Sequence, residues 1–238
     1  MILADAFRPS TFVDAFRFIG DHPHLLWTKA AEQLLLSGAA MAVALGVALP
    51  LGVWLGHVHR GSFLAVTVSN LGRALPSLAI IAIGIAVFGI GFTNVMVALV
   101  VMAVPLILTN AYVAVEGVDP DAVEAARAMG MRSWQVLGRV ELPLALPLVF
   151  AGIRTAAVYV VSTATLAAIA GGGGLGDIIT NQASYRLEGV IAAALCVSAL
   201  ALLADLAFGA LQLAVTPSAL RRRQRAIEPD VVTAAVPQ

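Results

Sequence analysis

Long apolar runs separated by short polar connections dominate this chain. Each run is close to the roughly 20 residues that a helix needs to cross the hydrocarbon core of a membrane, although the second needs residues upstream of it. The runs are Leu34–Leu55, Leu75–Gly91, Val95–Val115, Leu144–Ala170 and Val190–Val215. The spans predicted from them are residues 33–56, 68–90, 94–115, 147–170 and 190–214.

The composition argues for a membrane protein. Of the 238 residues, 60% are apolar and only 12% are charged, whereas a soluble domain is about half apolar and about a quarter charged. In lipid the backbone polar groups have to be paired within the protein, and the runs lack the alternation of an outer-membrane β-barrel. The predicted fold class is therefore an all-α, polytopic membrane helix bundle of about five transmembrane helices.

Basic residues cluster in two connections and determine the predicted orientation. Arg221, Arg222, Arg223 and Arg225 follow the last span, and residues 116–146 carry further arginines between the third and fourth spans. Connections rich in arginine stay on the cytoplasmic side of a membrane. With five spans, the N-terminus is then expected outside and the C-terminus in the cytoplasm.

Three regions follow from this pattern. Residues 1–24 are an N-terminal extension, 25–216 form the transmembrane domain, and 217–238 form a basic cytoplasmic tail. The extension lacks an uninterrupted apolar centre, so it is not predicted to be a cleavable signal peptide. It is expected to be either an amphipathic helix on the outer membrane face or a mobile tail. In the second span a helix bent or broken near Pro76 is predicted.

The connection at 116–146 carries helix start and stop signals. Asp119 is a predicted N-cap with Pro120 at the first helical position, and Gly130 is a predicted left-handed terminator. The alanines between them allow another protein surface to approach closely. The connection is therefore predicted to be a folded cytoplasmic docking element.

The second half of this connection resumes a helical pattern over Ser133–Leu142. Proline lacks the backbone N–H that a helix interior requires. Pro143 and Pro147 are therefore expected to interrupt the helix and to redirect the chain into the fourth span.

The residues of this connection follow a spaced pattern: Glu124-Ala125-Ala126, three residues, Gly130, nine residues, Val140, one residue and Leu142-Pro143. This spacing resembles the EAA signature of permeases from binding-protein-dependent ABC importers. In that family the segment is a coupling helix seated in the ATP-binding subunit. Without the resemblance, an interfacial helix packed under the bundle explains the same pattern. The resemblance implies a type I importer permease fold and assigns coupling to Glu124, Ala125, Ala126, Gly130, Leu142 and Pro143.

Further segments resemble permeases for quaternary-ammonium osmoprotectants such as glycine betaine, carnitine and choline. These segments are residues 73–79, 117–120, 141–147, 151–156 and 171–177. Methionine importer permeases are the alternative, because they share about five spans, an EAA element and a Gly-Leu-Gly segment after the fourth span. An ion-coupled secondary transporter is less favoured, because such proteins show two related halves and none is visible here.

Glycines and ionisable residues mark a candidate translocation path. Gly171–Gly176 ends a span with backbone free of side chains, which permits close approach and bending; a flexible outer turn is the equally weighted alternative. Asp205 lies inside a span, where pairing with an arginine of another helix is favoured over facing the passage, and Arg154 is expected to extend its side chain toward the cytoplasmic face. The candidate gate and path residues are Pro76, Ser77, Tyr159, Gly173, Gly174, Gly176 and Asp177.

The sequence carries no signature of chemistry on this chain. It contains no Walker loop, no zinc-protease or serine-hydrolase motif and a single cysteine, so neither a cofactor nor a metal site is predicted, and ATP and Mg²⁺ are expected on a partner subunit. The implied partners are an ATP-binding subunit, an extracytoplasmic substrate-binding protein, a second permease chain, identical or different, and the lipid bilayer. No nucleic acid is expected. The implied location is the bacterial cytoplasmic (inner) membrane.

Overall fold

The structure is a computed structural model that describes residues 9–59, 67 and 76–215. The helices are α1 Pro9–Asp21, α2 Pro23–Val58, α3 Ser77–Phe88, α4 Phe92–Glu116, α5 Pro120–Ala128, α6 Ser133–Val136, α7 Leu142–Thr163, α8 Gly176–Thr180 and α9 Gln182–Val215. A π-helical turn, Leu137–Glu141, joins α6 to α7, and a 3₁₀ helix, Ala164–Ala170, extends α7. The predicted all-α membrane bundle is confirmed.

Four helical stretches in the described part of the chain are long and apolar enough to cross a membrane: α2, α4, the run Ser133–Ala170, and α9. Each contains one of the predicted spans. Helix α3 has only 12 residues, and residues 68–75 of the predicted second span lie outside the described residues. Pro76 is extended directly before α3, with φ −64° and ψ 127°. The predicted bend and the orientation of the termini stay predictions.

A stripe of small residues brings α2 and α4 close together. Ala40, Ala44, Ala48, Gly52 and Gly56 recur every four residues along α2, and all are buried. In lipid the hydrophobic effect does not drive helices together, so small side chains stabilise an interface by letting the backbones approach. Helix α7 packs on α4, and α9 packs on α7. The stripe therefore stabilises the helix pair on which the rest of the bundle is assembled.

The expected interruption at Pro143 and Pro147 is wrong. The chain is helical without a break over Ser133–Ala170. Pro143 lies in the first turn of α7, immediately after the π-helical turn. A proline ring normally clashes with the carbonyl of the residue four positions earlier, and the wider π turn separates the two. Pro147 lies inside α7, as transmembrane helices tolerate.

Helix α1 packs against α9 and covers a second apolar cluster. Leu26, Leu175, Ile178 and Ala193 are buried in this cluster, with Phe18 of α1 packed against them. Within the extension, Pro9–Asp21 is therefore helical, residues 1–8 lie outside the described residues, and the place of this helix relative to the membrane stays a prediction. The predicted basic tail at 217–238 lies outside the described residues.

Candidate functional site

Helix α5 forms where the cap signals predict it. The Asp119 carboxylate accepts a hydrogen bond from the Asp121 backbone N–H at 3.1 Å, which satisfies one free donor at the helix start. Ala126 is buried against the bundle, whereas Glu124 and Ala125 are exposed. The helix thus anchors one face on its own chain and leaves the other face exposed.

Gly130 ends this element in the predicted left-handed conformation. Its φ is +80°, and its N–H donates to the Arg127 carbonyl at 2.9 Å. Met129 and Trp134, on either side of the turn, are 72% and 65% exposed. Two large apolar side chains beside an exposed acidic helix are typical of a protein-docking surface.

Leu142 and Pro143 stand apart from this exposed face. Both are half-buried at the start of α7. Of the six predicted coupling residues, Glu124, Ala125 and Gly130 are therefore accessible to a partner, and the other three pack within the chain.

The glycine run is held by polar side chains from the start of α2. Lys29 Nζ lies 2.7 Å from Asp177 Oδ2 and 2.9 Å from Glu32 Oε2. The Gly174 N–H donates to Glu32 Oε2 at 3.0 Å. We call Lys29, Glu32, Gln33, Gly174 and Asp177 the glycine-loop cluster.

Gln33 has the buried polar side chain of this cluster. Its Oε1 accepts from the Leu175 N–H at 3.1 Å, and its Nε2 donates to the Val161 carbonyl at 2.9 Å. One side chain of α2 therefore joins the loop to α7. The sequence interpretation missed Lys29, Glu32 and Gln33, although a lysine and a glutamate beside a predicted span were a signal for them.

Backbone geometry explains why glycine occupies the loop. Gly173 and Gly174 have φ of +78° and +88°, values at which a side chain is strained. A Cβ at Gly176 would lie 1.9 Å from the Thr165 carbonyl oxygen. The other predicted path residues stand apart: Pro76 and Ser77 begin α3, and Tyr159 is partly exposed on α7.

Arg154 of α7 and Asp205 of α9 form a two-point ion pair, so the predicted pairing of Asp205 is confirmed. The guanidinium lies beside Gly209, where an added Cβ would be in ordinary van der Waals contact with it, at 3.4 Å from Arg154 Nη1. Two arginine N–H groups and two carboxylate oxygens match in geometry, which suits an ion pair in a membrane-spanning segment.

Replacing Asp205 with Ala is expected to lower the unfolding midpoint in detergent by several degrees, because Arg154 loses its counter-charge. The double variant Arg154→Met/Asp205→Leu is expected to recover most of the loss, because it removes both charges. Thermal unfolding followed by size-exclusion recovery measures both. A double variant less stable than Asp205→Ala would contradict the pairing role.

A family comparison matches this arrangement. The model described as binding-protein-dependent transport system inner membrane component matches residues 48–217, which include α5 and the glycine run. The chain belongs to this family. The permease therefore is the membrane component of an ATP-binding-cassette importer, as the EAA pattern predicted.

Individual relatives refine the match. The permease is 37% identical over 205 residues to the carnitine transport permease protein OpuCB of Listeria monocytogenes, covering 86% of this chain and 94% of the relative. It is 38% identical over 194 residues to the glycine betaine/carnitine/choline permease OpuCB of Bacillus subtilis, covering 81% and 89%. The predicted similarity to osmoprotectant permeases is confirmed.

A solved structure shares the fold. The inward-facing MetNI methionine ABC transporter matches with a TM-score of 0.71 and 25% identity, over 82% of this chain and 99% of the other. The type I importer permease fold is confirmed by this match.

Proposed function

We propose that the permease imports a small quaternary-ammonium osmoprotectant of the glycine betaine, carnitine and choline type across the bacterial inner membrane by alternating access. The similarity to permeases with those names, over about four-fifths of the chain, carries this proposal. ATP is hydrolysed on a separate subunit, and a separate binding protein delivers the solute. A second permease chain completes the passage.

Helix α5 acts as the coupling element in this proposal. Its exposed Glu124 and Ala125, followed by the left-handed turn at Gly130, fit a groove on an ATP-binding subunit. The Met129 and Trp134 side chains add apolar contact area beside the helix. When the ATP-binding subunit displaces α5, buried Ala126 transmits the displacement to the bundle, because close-packed interiors transmit strain.

The glycine-loop cluster acts as a latch, by which we mean that its contacts hold the loop against α2 and keep the passage closed. The loop is bound to α2 by one part-buried ion pair and by two hydrogen bonds from loop backbone N–H groups to α2 side chains, one part-buried and one buried. Glycines allow the loop to bend once these contacts break. The cluster therefore stabilises the closed arrangement until substrate delivery opens it.

Lys29→Asp is expected to raise ATP hydrolysis in the absence of binding protein about fivefold. The reason is that a partly exposed pair contributes about 1 kcal/mol or less to the closed state. The swap Lys29→Asp/Asp177→Lys is expected to restore the low rate. Arg17→Asp, which breaks an exposed pair with Asp14 on α1, is the matched control. Equal rates of ATP hydrolysis in Lys29→Asp and Arg17→Asp would contradict the proposal that the cluster holds the passage closed.

Uptake by the complete importer in proteoliposomes tests the substrate. Radiolabelled glycine betaine, carnitine, choline and methionine are compared with and without internal ATP. ATP-dependent uptake of a quaternary amine supports the proposal. Methionine uptake would favour the second candidate, which the structural match to the methionine transporter supports. Uptake without ATP would exclude the importer mechanism.

A further inference from the structure

One carboxylate is buried beside the coupling element. Glu141 is 0% exposed and is the last residue of the π-helical turn, directly before Leu142 and Pro143. Burying a carboxylate is costly unless it is paired. The fold therefore has to supply a partner for this side chain.

The partner is His57, in the last turn of α2. Its Nδ1 lies 2.5 Å from Glu141 Oε2, and its Nε2 lies 2.7 Å from Ser133 Oγ. In the neutral ring with hydrogen on Nδ1, the imidazole donates to Glu141 and accepts from Ser133; in the charged ring it donates to both. Either form keeps the carboxylate paired.

These contacts connect the end of α2 to both ends of the segment Ser133–Glu141, which consists of α6 and the π turn. Ser133 begins α6 just after the Gly130 turn, and Glu141 ends the π turn just before α7. Helix α5 packs on both α6 and the π turn. The end of α2 is itself packed tightly on α4, where a Cβ at Gly56 would lie 2.8 Å from the Tyr112 carbonyl oxygen. A displacement of α5 would therefore move α6 and the π turn, and the hydrogen bonds of Ser133 and Glu141 to His57 would carry that movement to α2, which packs on α4.

Two features distinguish this contact from an ordinary ion pair. π-Helical turns are rare and occur frequently at functional sites. Among the described residues, Glu141 Oε1 has no hydrogen-bond partner although it is buried. Such an atom has unused capacity to accept a hydrogen bond in a second arrangement of the segment.

We propose that His57 and Glu141 are a positioning pair that transmits movement of α5 to α2 and so couples ATP hydrolysis to opening of the passage. The inference rests on the proposed role of α5 as the coupling helix. Ser133 orients the imidazole from the other side. Neither residue contacts the solute; both act through the helices that they join.

The test uses the complete importer in proteoliposomes with binding protein and glycine betaine. The measured quantity is ATP hydrolysed per solute imported. His57→Ala and Glu141→Gln are each expected to raise this ratio about tenfold, mainly by lowering uptake, and Ser133→Ala by less. His59→Ala is the matched control, because His59 lies two residues further on and its side chain bonds only to the His57 carbonyl among the described residues.

A merely structural role predicts a different result. It would lower the yield of folded importer, its ATP hydrolysis and its uptake together, and leave the ratio unchanged. The double variant His57→Leu/Glu141→Leu removes the buried charge and refills the space with apolar atoms, so it is expected to fold and still to show the raised ratio.

A wild-type ratio in the double variant and in Glu141→Gln would overturn the inference while leaving the proposed function intact. The proposed function fails separately if the unmodified importer accumulates none of the tested solutes with ATP. Loss of coupling in the His57 and Glu141 variants but not in His59→Ala supports the inference.

Discussion

Replacing Glu124 with Lys is expected to lower ATP-driven uptake at least about tenfold while the protein stays inserted and folded. Glu124 is exposed on α5, so its reversal costs the chain itself little. At an interface, a reversed charge facing an unchanged partner costs several kcal/mol, and about 1.4 kcal/mol is tenfold in affinity. Uptake and ATP hydrolysis measured on the same proteoliposomes show the loss.

Glu116→Lys is the matched control for this variant. Glu116 is an exposed glutamate at the end of α4 and lies before the EAA pattern. It is expected to retain most uptake. If both reversals reduce uptake equally, the effect reflects net charge on this surface and not the coupling role of Glu124.

Gly130→Pro is expected to abolish coupled uptake by a different route. Gly130 has φ +80° and donates its N–H to Arg127, whereas proline requires φ near −65° and has no N–H. The turn that separates α5 from α6 is then lost. Co-purification with the ATP-binding subunit measures the result, and normal assembly and uptake would contradict it.

Gly52→Leu is expected to destabilise the folded bundle by about 3 kcal/mol, the upper end of the roughly 1–3 kcal/mol that overpacking a filled interior typically costs. A Cβ at Gly52 would lie 2.6 Å from the Leu108 carbonyl oxygen and 2.8 Å from Ala111 Cβ. Neither atom is the end of a flexible side chain. The unfolding midpoint and the yield of monodisperse protein in detergent measure the loss.

Gly46→Leu is the control on the same helix. A Cβ at Gly46 meets nothing within 4 Å among the described residues, so leucine is expected to cause little change. Both substitutions add the same side chain and replace the same residue type in α2. Because leucine favours a helix more than glycine does, similar losses in the two variants would show that added bulk anywhere on α2, and not the contact with α4, limits stability.

Local signals in the sequence were sufficient to predict several features of the structure. Asp119 and Gly130 bracket α5 because capping depends on residues within one turn, and the structure places both as expected. The pairing of Asp205 with an arginine of another helix followed from the cost of an unpaired charge in a span, whereas the structure identified that arginine as Arg154. The predicted interruption of the helix at Pro143 was wrong, because a π turn accommodates this proline. A π turn departs from regular helix geometry, and local residue propensities do not indicate it.

The sequence by itself determined that this protein is a helical membrane bundle, where its apolar helices lie, and which short segment resembles a coupling element. Apolar length, capping and motif spacing are local properties, so they are readable along the chain. Only the tertiary structure decided that Gln33 joins Leu175 and that His57 meets Glu141. Those partners are 142 and 84 positions apart. Their meeting depends on how α2 packs against the rest of the bundle, and helix packing is a property of two surfaces that no single segment encodes.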